Sequence, residues 1–120
     1  MKILVTGGCG FIGSNFIKYL LTDPEIGEEI ELINLDKKTY AGQGKNIEHL
    51  GIDKNQKYTF IQGDICNKKL IEDIFKKEKP ELVFNFAAES HVDRSIEDSN
   101  DFIMTNFVGA ANLADASRKY

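Results

Sequence analysis

Short apolar runs alternate with amphipathic stretches along the whole chain. Two stretches, Phe11–Leu21 and Lys68–Lys77, repeat apolar residues at steps of three and four, which predicts helices with one buried face. A last segment, Asp101–Arg118, is also predicted to be helical, with apolar residues available for burial. Four apolar runs have the length and composition of strands covered on both faces: Lys2–Thr6, Ile30–Leu35, Tyr58–Ile61 and Leu82–Ala87. This alternation predicts an α/β fold with a doubly wound parallel sheet.

The segment Asp36–Lys57 interrupts this order. It joins the second and third predicted strands with weak periodicity, three glycines and many polar residues. Long irregular connections in compact domains are typical of functional or mobile loops. A short helix at Lys45–Leu50 is compatible with the pattern.

Composition narrows the class of protein. The 120 residues are 42% hydrophobic and 28% charged, which predicts one domain with an apolar core. The net charge of −4 is spread without a basic patch, so we expect no nucleic-acid partner. No apolar run reaches the ~20 residues of a membrane span, and the chain enters a strand without a leader, which predicts a cytoplasmic protein without membrane contact. Cys9 and Cys66 are expected to be reduced thiols, with no metal site.

The first predicted strand runs into a glycine-rich turn that opens a helix. Gly7, Gly10 and Gly13 have the spacing of a dinucleotide-binding turn in its required strand–helix context. Gly7 would allow the tight turn, Gly10 the approach of a pyrophosphate, and Gly13 the close packing of helix on sheet. The helix N-terminus would offer unpaired N–H groups to phosphates. The turn therefore predicts a Rossmann-like, dinucleotide-binding sheet.

Asp36 follows the second apolar strand. Its distance in sequence from Gly13 is close to the ~20 residues expected for an acid that binds the adenosine ribose. A carboxylate at that point repels a 2′-phosphate, which favours NAD over NADP. Lys37 and Lys38 follow directly and could soften that repulsion.

Two further strand ends carry polar groups. Asp64 follows the third strand, where it could accept a bond from an adenine amine, with Ile65 against the ring, or cap the helix that starts near Lys68. After the fourth strand, Ala87 and Ala88 would let the backbone pass close to a cofactor, and polar residues follow them.

The strings TGGCGFIGS, LDKKTYAG, GDI, NFAAESHVDRSI and TNFVGA occur in this order. With them the chain resembles the extended short-chain dehydrogenase/reductase family, and within it the dTDP-glucose 4,6-dehydratases. The resemblance covers essentially all of the chain. It implies NAD as cofactor, dTDP-glucose as substrate and a homodimer as the full-length protein. It places Asn106 as a structural brace of the active-site strand. It implies cofactor contacts at Gly7, Gly10, Phe11, Ile12, Gly13, Asp36, Lys37, Lys38, Thr39, Asp64, Ile65, Phe86, Ala87, Ala88, Glu89, Ser90 and Thr105, and substrate contacts at Ser90, His91 and Arg94.

The chain also departs from the family pattern. Cys9 replaces the usual Ala of the turn, Lys38 stands where Leu is common, and the residues after Gly42 differ from the usual continuation. No Tyr is followed by Lys four positions later, and the Thr-Asp-Glu triplet that serves elimination is missing. We therefore expect a partial NAD-binding domain that is inactive alone, with no catalytic residue of its own. An epimerase or decarboxylase of the same family, or a non-catalytic dinucleotide-binding module, stays an alternative.

Overall fold

A computed structural model describes residues 1–38, 45–90 and 99–120. Four strands form one sheet: β1 (Lys2–Thr6), β2 (Glu31–Asp36), β3 (Tyr58–Gln62) and β4 (Leu82–Asn85). The connecting helices are α1 (Phe11–Thr22), α2 (Lys45–His49), a 3-10 turn (Ile52–Lys54) and α3 (Lys68–Glu78). The chain ends in α4 (Asn100–Ile103), a π-helical turn (Met104–Gly109) and α5 (Ala110–Lys119).

The strand order is β3-β2-β1-β4, and each neighbouring pair is parallel. Because the chain winds outward from β1 in both directions, the crevice between β1 and β4 is the point where the strand order reverses. Ligands of such sheets bind beyond the carboxyl ends of the strands at this switch point. The prediction of a doubly wound parallel sheet is confirmed.

Successive side chains of β1 and β2 point to opposite faces of the sheet, so they contribute to two separate cores. Ile3, Val5 and Leu32 pack with Ile17 of α1 and Ile47 of α2 on one face. Leu4, Ile33 and Leu35 pack on the other face with Ile71 of α3 and Leu113 of α5. A two-sided cover explains why the inner strands are almost wholly apolar.

The outer strands differ from the prediction that every strand is covered on both faces. β3 and β4 keep exposed or half-buried residues along their length, whereas β1 and β2 are buried at nearly every position. β4 also ends at Asn85, two residues before the predicted end. Phe84 of β4 and Phe86, which follows the strand, pack against the ring of Phe16 on α1 at centroid distances of 4.8 and 5.1 Å.

Two predicted helical faces are only partly buried. Phe11 and Ile12 in the first turn of α1 are 79% and 68% exposed, and its buried residues begin at Gly13. Near the chain end, Ile103 and Phe107 are exposed, while Leu113 and Ala116 are buried. The wider π turn, which contains Phe107 and precedes Leu113, changes which side chains face the sheet, because its hydrogen bonds span one residue more than those of an α-helix. Within the described ranges, no helix is long and apolar enough to cross a membrane.

Candidate functional site

Backbone hydrogen bonds draw the carboxyl ends of all four strands together. The Gly7 N–H donates to the Leu35 carbonyl at 3.0 Å, and the Gly63 N–H donates to the Asp36 carbonyl at 3.0 Å. The Phe86 N–H donates to the Thr6 carbonyl at 2.9 Å. The segments that follow the strands therefore share one edge of the sheet.

A cleft of about 580 Å³, including its open mouth, lies along this edge. Eleven of the predicted cofactor residues line the cleft: Gly7, Gly10, Asp36, Lys37, Asp64, Ile65, Phe86, Ala87, Ala88, Glu89 and Thr105. Leu35 and Gly63 also line it, and the sequence analysis assigned neither to the site.

The turn after β1 is too tight for side chains at two of its glycines. Gly7 has φ +69°, and a Cβ there would lie 2.4 Å from the Ala87 nitrogen. A Cβ on Gly13 would lie 2.4 Å from the Gly7 carbonyl oxygen and 2.8 Å from the Gly8 Cα. Gly13 thus lets α1 pack on the glycine turn itself, rather than on the sheet as predicted. Among the described residues, a Cβ on Gly10 would approach only the Gly7 oxygen, at 3.4 Å, so the cleft side of Gly10 is open.

A buried amide that the sequence analysis overlooked holds the same turn. The Asn34 carboxamide is fully buried, and its oxygen accepts the Gly8 N–H at 3.1 Å. Its nitrogen donates to the Tyr58 hydroxyl at 2.8 Å. A Cβ on Gly8 would collide with the Asn34 oxygen at 2.2 Å, which explains the glycine outside the three-glycine spacing. A polar residue inside an otherwise apolar strand was the signal that could have revealed this contact.

Asp36 is the last residue of β2 and is only 8% exposed. One carboxylate oxygen accepts the Cys9 N–H at 2.9 Å, and the other accepts the Lys38 N–H at 2.7 Å. Each oxygen keeps a further lone pair for a ligand hydroxyl. The carboxylate thus ties the glycine turn to the end of the neighbouring strand.

Cys9 is part of the glycine turn, and its thiol is buried. It is 1% exposed, and burial together with the Asp36 carboxylate raises the pKa of Cys9 to about 11. Thiolate is the reactive form of cysteine, so the neutral thiol serves as a small packing group. Cys9 and Cys66 form no disulfide with each other.

Asp64 forms an ion pair at the cleft rather than a helix cap. Its carboxylate lies 2.8 Å from the Lys37 ammonium and accepts the Cys66 N–H at 2.8 Å. Burial raises the pKa of Asp64, but the bonds from Lys37 and Cys66 outweigh it, so the pKa lies below its usual value. The capping alternative was wrong, because the side chain of Asn67 caps α3 by accepting the Leu70 N–H at 3.1 Å.

Helix α5 and the π turn support the far side of the cleft. A Cβ on Gly109 would lie 2.4 Å from the Ile65 side chain, and Asn112 donates to the Ile65 carbonyl at 3.0 Å. Asn106 accepts the Glu89 N–H at 2.9 Å and donates to the Glu89 carbonyl at 3.0 Å. Asn106 therefore braces the segment after β4, as the resemblance implied.

The remaining predicted residues lie beside the cleft or outside the described ranges. Phe11 and Ile12 lie at the exposed start of α1, next to Gly10. Lys38 does not line the cleft; its ammonium lies 4.6 Å from the centre of the Phe60 ring. Gly13 and Ser90 are likewise outside the cleft lining, and Thr39, His91 and Arg94 fall outside the described residues. Within those ranges, no group of His, Cys, Asp or Glu side chains could hold a metal ion.

A family model described as GDP-mannose 4,6 dehydratase matches residues 4–120. The chain belongs to this family. A dTDP-glucose 4,6-dehydratase of Escherichia coli is 46% identical over 121 residues, covering 100% of this chain and 32% of the relative. The Haemophilus influenzae dTDP-glucose 4,6-dehydratase is 43% identical, covering 100% of this chain and 34% of the relative. The family resemblance of the sequence motifs is confirmed.

Solved structures of similar proteins share the fold. The dTDP-glucose 4,6-dehydratase of Streptomyces venezuelae, solved with NAD bound, has a TM-score of 0.89 at 38% identity and covers 99% of this chain and 36% of that chain. The UDP-glucose 4-epimerase of Thermus thermophilus in complex with NAD has a TM-score of 0.81 at 32% identity, covering 100% and 34%. The chain spans about a third of the length of these relatives.

Proposed function

We propose that this chain is the NAD-binding part of a nucleotide-sugar 4,6-dehydratase that acts on dTDP-glucose. The observation that carries the proposal is the single cleft that joins the glycine turn, Asp36 and the Asp64–Ile65 segment. Relatives that align along the whole chain are dTDP-glucose 4,6-dehydratases, and one was solved with NAD. The 120 residues are in this view one partial NAD-binding domain.

The residues that line the cleft offer a contact for each part of a dinucleotide. Gly10 presents an open backbone surface beside the start of α1, whose first N–H groups lack intrahelical partners and attract a pyrophosphate. Asp36 offers its free lone pairs to ribose hydroxyls. Ile65 supplies an apolar surface for adenine, and Asp64 an acceptor for its amine. Ala87 and Ala88 leave room for the nicotinamide side.

NAD, when bound, accepts and returns a hydride. The residues of this chain hold and orient it, and the proton transfers fall to residues outside these 120. The lack of a Tyr with a Lys four positions later supports this division.

Ser90, His91 and Arg94 are proposed to contact the dTDP-sugar. The full-length enzyme is proposed to be a cytoplasmic homodimer.

The test is the NAD affinity of the Asp36→Ala variant, measured by calorimetry on the full-length protein. We expect binding to weaken by roughly 1–3 kcal/mol, because ribose hydroxyls lose a buried acceptor. Asp73→Ala removes the same charge from the exposed side of α3 and should leave the affinity unchanged. Unchanged binding in Asp36→Ala would remove Asp36 from the site, and a wild-type protein that does not bind NAD would end the proposal.

A second candidate is an NAD-dependent nucleotide-sugar epimerase, because the Thermus thermophilus epimerase shares this fold at 32% identity. The two activities give different products from one nucleotide-sugar. A dehydratase releases water and forms a 4-keto-6-deoxy sugar, whereas an epimerase yields an isomer of unchanged mass. Mass spectrometry of the product that the full-length protein forms from dTDP-glucose therefore distinguishes the two activities. A product of unchanged mass would favour the epimerase.

A further inference from the structure

Two lysines directly follow the carboxylate proposed to bind the adenosine ribose. Their charges could attract a 2′-phosphate and so cancel the discrimination that Asp36 provides. Both ammonium groups are engaged elsewhere, in two different ways. The selectivity of the cleft therefore depends on what holds these lysines.

Lys37 is engaged on the cleft side. Its ammonium lies 2.8 Å from the Asp64 carboxylate, and both residues line the cleft. The bond to Asp64 raises the pKa of Lys37, so the lysine stays charged and its charge is balanced by a neighbour. The Asp64 side chain is 31% exposed and is itself fixed by the Cys66 N–H, which makes it an anchored partner.

Lys38 is engaged on the opposite side. Its backbone has φ +55°, an uncommon left-handed conformation, and its N–H donates to Asp36. Its ammonium lies over the Phe60 ring, 4.6 Å from the centroid, where a cation is attracted by the ring electrons. Lys38 lines a separate cavity with Cys9, Tyr58 and Phe60, and not the cleft.

We propose that Asp64 and Phe60 are specificity-determining residues, which reject NADP by holding Lys37 and Lys38 away from the 2′ position of the adenosine ribose. This inference rests on the proposed NAD site. Near the ribose, the charges of Asp36 and Asp64 balance those of the two lysines. A 2′-phosphate adds nearly two negative charges, whereas both lysines that follow Asp36 already have partners.

Removing the Asp64 charge changes that balance most directly. Asp64→Asn keeps the size of the side chain and an oxygen that can accept the Cys66 N–H, but it frees Lys37. NAD and NADP share the same adenine, so any lost adenine contact weakens both equally and cancels in their affinity ratio. The preference for NAD over NADP should therefore fall by about tenfold or more.

The experiment measures the dissociation constants of NAD and NADP by calorimetry for five forms of the full-length protein. In Asp64→Asn the preference for NAD should fall, and in Asp64→Asn combined with Lys37→Met it should return toward the wild-type value. Phe60→Leu should lower the preference by a smaller factor, because Lys38 starts farther from the cleft. Asp73→Asn, which removes a charge from the exposed face of α3, should leave the preference unchanged.

The outcomes separate this inference from the proposed function. A wild-type protein that binds neither nucleotide overturns both. A protein that binds NAD but keeps its preference in Asp64→Asn, or loses it equally with and without Lys37, overturns the role of Asp64. An unchanged preference in Phe60→Leu overturns the role of Phe60. Circular dichroism of each variant shows whether the fold is retained; if Asp64→Asn does not fold, Asp64→Ser and Phe60→Leu carry the test.

Discussion

The two ends of the cleft are built by different means. At the turn end, which comprises Gly7, Gly10 and Asp36, buried hydrogen bonds join neighbouring strands, and Asn34 is fully buried. At the helix end, which comprises Phe86–Glu89 and Thr105, the bonds between Asn106 and Glu89 are exposed to solvent. One end is fixed by the core of the sheet, whereas at the other end Asn106 of the π turn holds Glu89, beyond the contacts that Phe86 makes with β1 and α1.

This difference determines which substitutions the protein tolerates. A buried polar group that loses its partner costs its full desolvation, roughly 1–3 kcal/mol, whereas an exposed group regains water. Changes at the turn end should therefore affect folding and binding together. Changes at the helix end should act locally, by changing how well the segment after β4 is ordered.

The largest expected effect is that of Gly7→Ala. The new Cβ would meet the Ala87 nitrogen at 2.4 Å, and alanine would have to adopt φ +69°. Strain and overpacking together should lower the free energy of unfolding by roughly 3 kcal/mol or more, measured by urea denaturation.

Gly51→Ala is the matched control for this variant. Gly51 has the same φ of +69°, but among the described residues no atom lies within 4 Å of a Cβ placed there. Only the conformational penalty remains, about 1 kcal/mol. Equal destabilisation in both variants would show that the contact with Ala87 contributes nothing to the turn end.

Much of the fold followed from the apolar pattern, because strand runs and turn glycines are local signals. β1 was predicted with its observed bounds, and α1 to within one residue. The exposure of β3 and β4 was not predicted, because an apolar run does not reveal whether a strand lies inside a sheet or at its edge. The π turn was also missed, since its hydrogen-bond register depends on contacts with residues far away along the chain.

The second-largest expected effect is that of Asn34→Leu. Leucine has a similar volume but neither accepts the Gly8 N–H nor donates to the Tyr58 hydroxyl. Unfolding free energy should fall by roughly 2 kcal/mol, and NAD affinity should fall with it, because the turn loses its anchor.

Tyr58→Phe separates the two halves of this network. It removes the hydroxyl but keeps the bond from Gly8 to Asn34, so stability should fall by about 1 kcal/mol and NAD affinity should change little. Equal losses of NAD affinity in both variants would mean that the bond from Gly8 to Asn34 is not what holds the turn.

The candidate site was predictable where chemistry follows directly from a motif and not where it depends on pairing across the sheet. The turn glycines, Asp36 and Asp64 were predicted because each lies at a strand end, and Gly7, Gly10, Asp36 and Asp64 line the cleft. Asn34 was missed because its partners, Gly8 and Tyr58, lie on other elements. The engagement of Lys37 and Lys38 depends on side-chain directions, which a linear pattern does not specify.

The smallest expected effect is that of Asn106→Ala at the helix end. Both lost bonds are exposed to solvent, so unfolding free energy should fall by about 1 kcal/mol or less. Hydrogen exchange at the Glu89 amide should nevertheless accelerate clearly, because the Asn106 oxygen is its acceptor. Asn112→Ala is the comparison: its amide supports the carbonyls of Ile65 and Cys66, which should leave Glu89 exchange unchanged. A slow Glu89 amide in Asn106→Ala would mean that the sheet holds this segment, as it holds the turn end, and the contrast between the two ends would disappear.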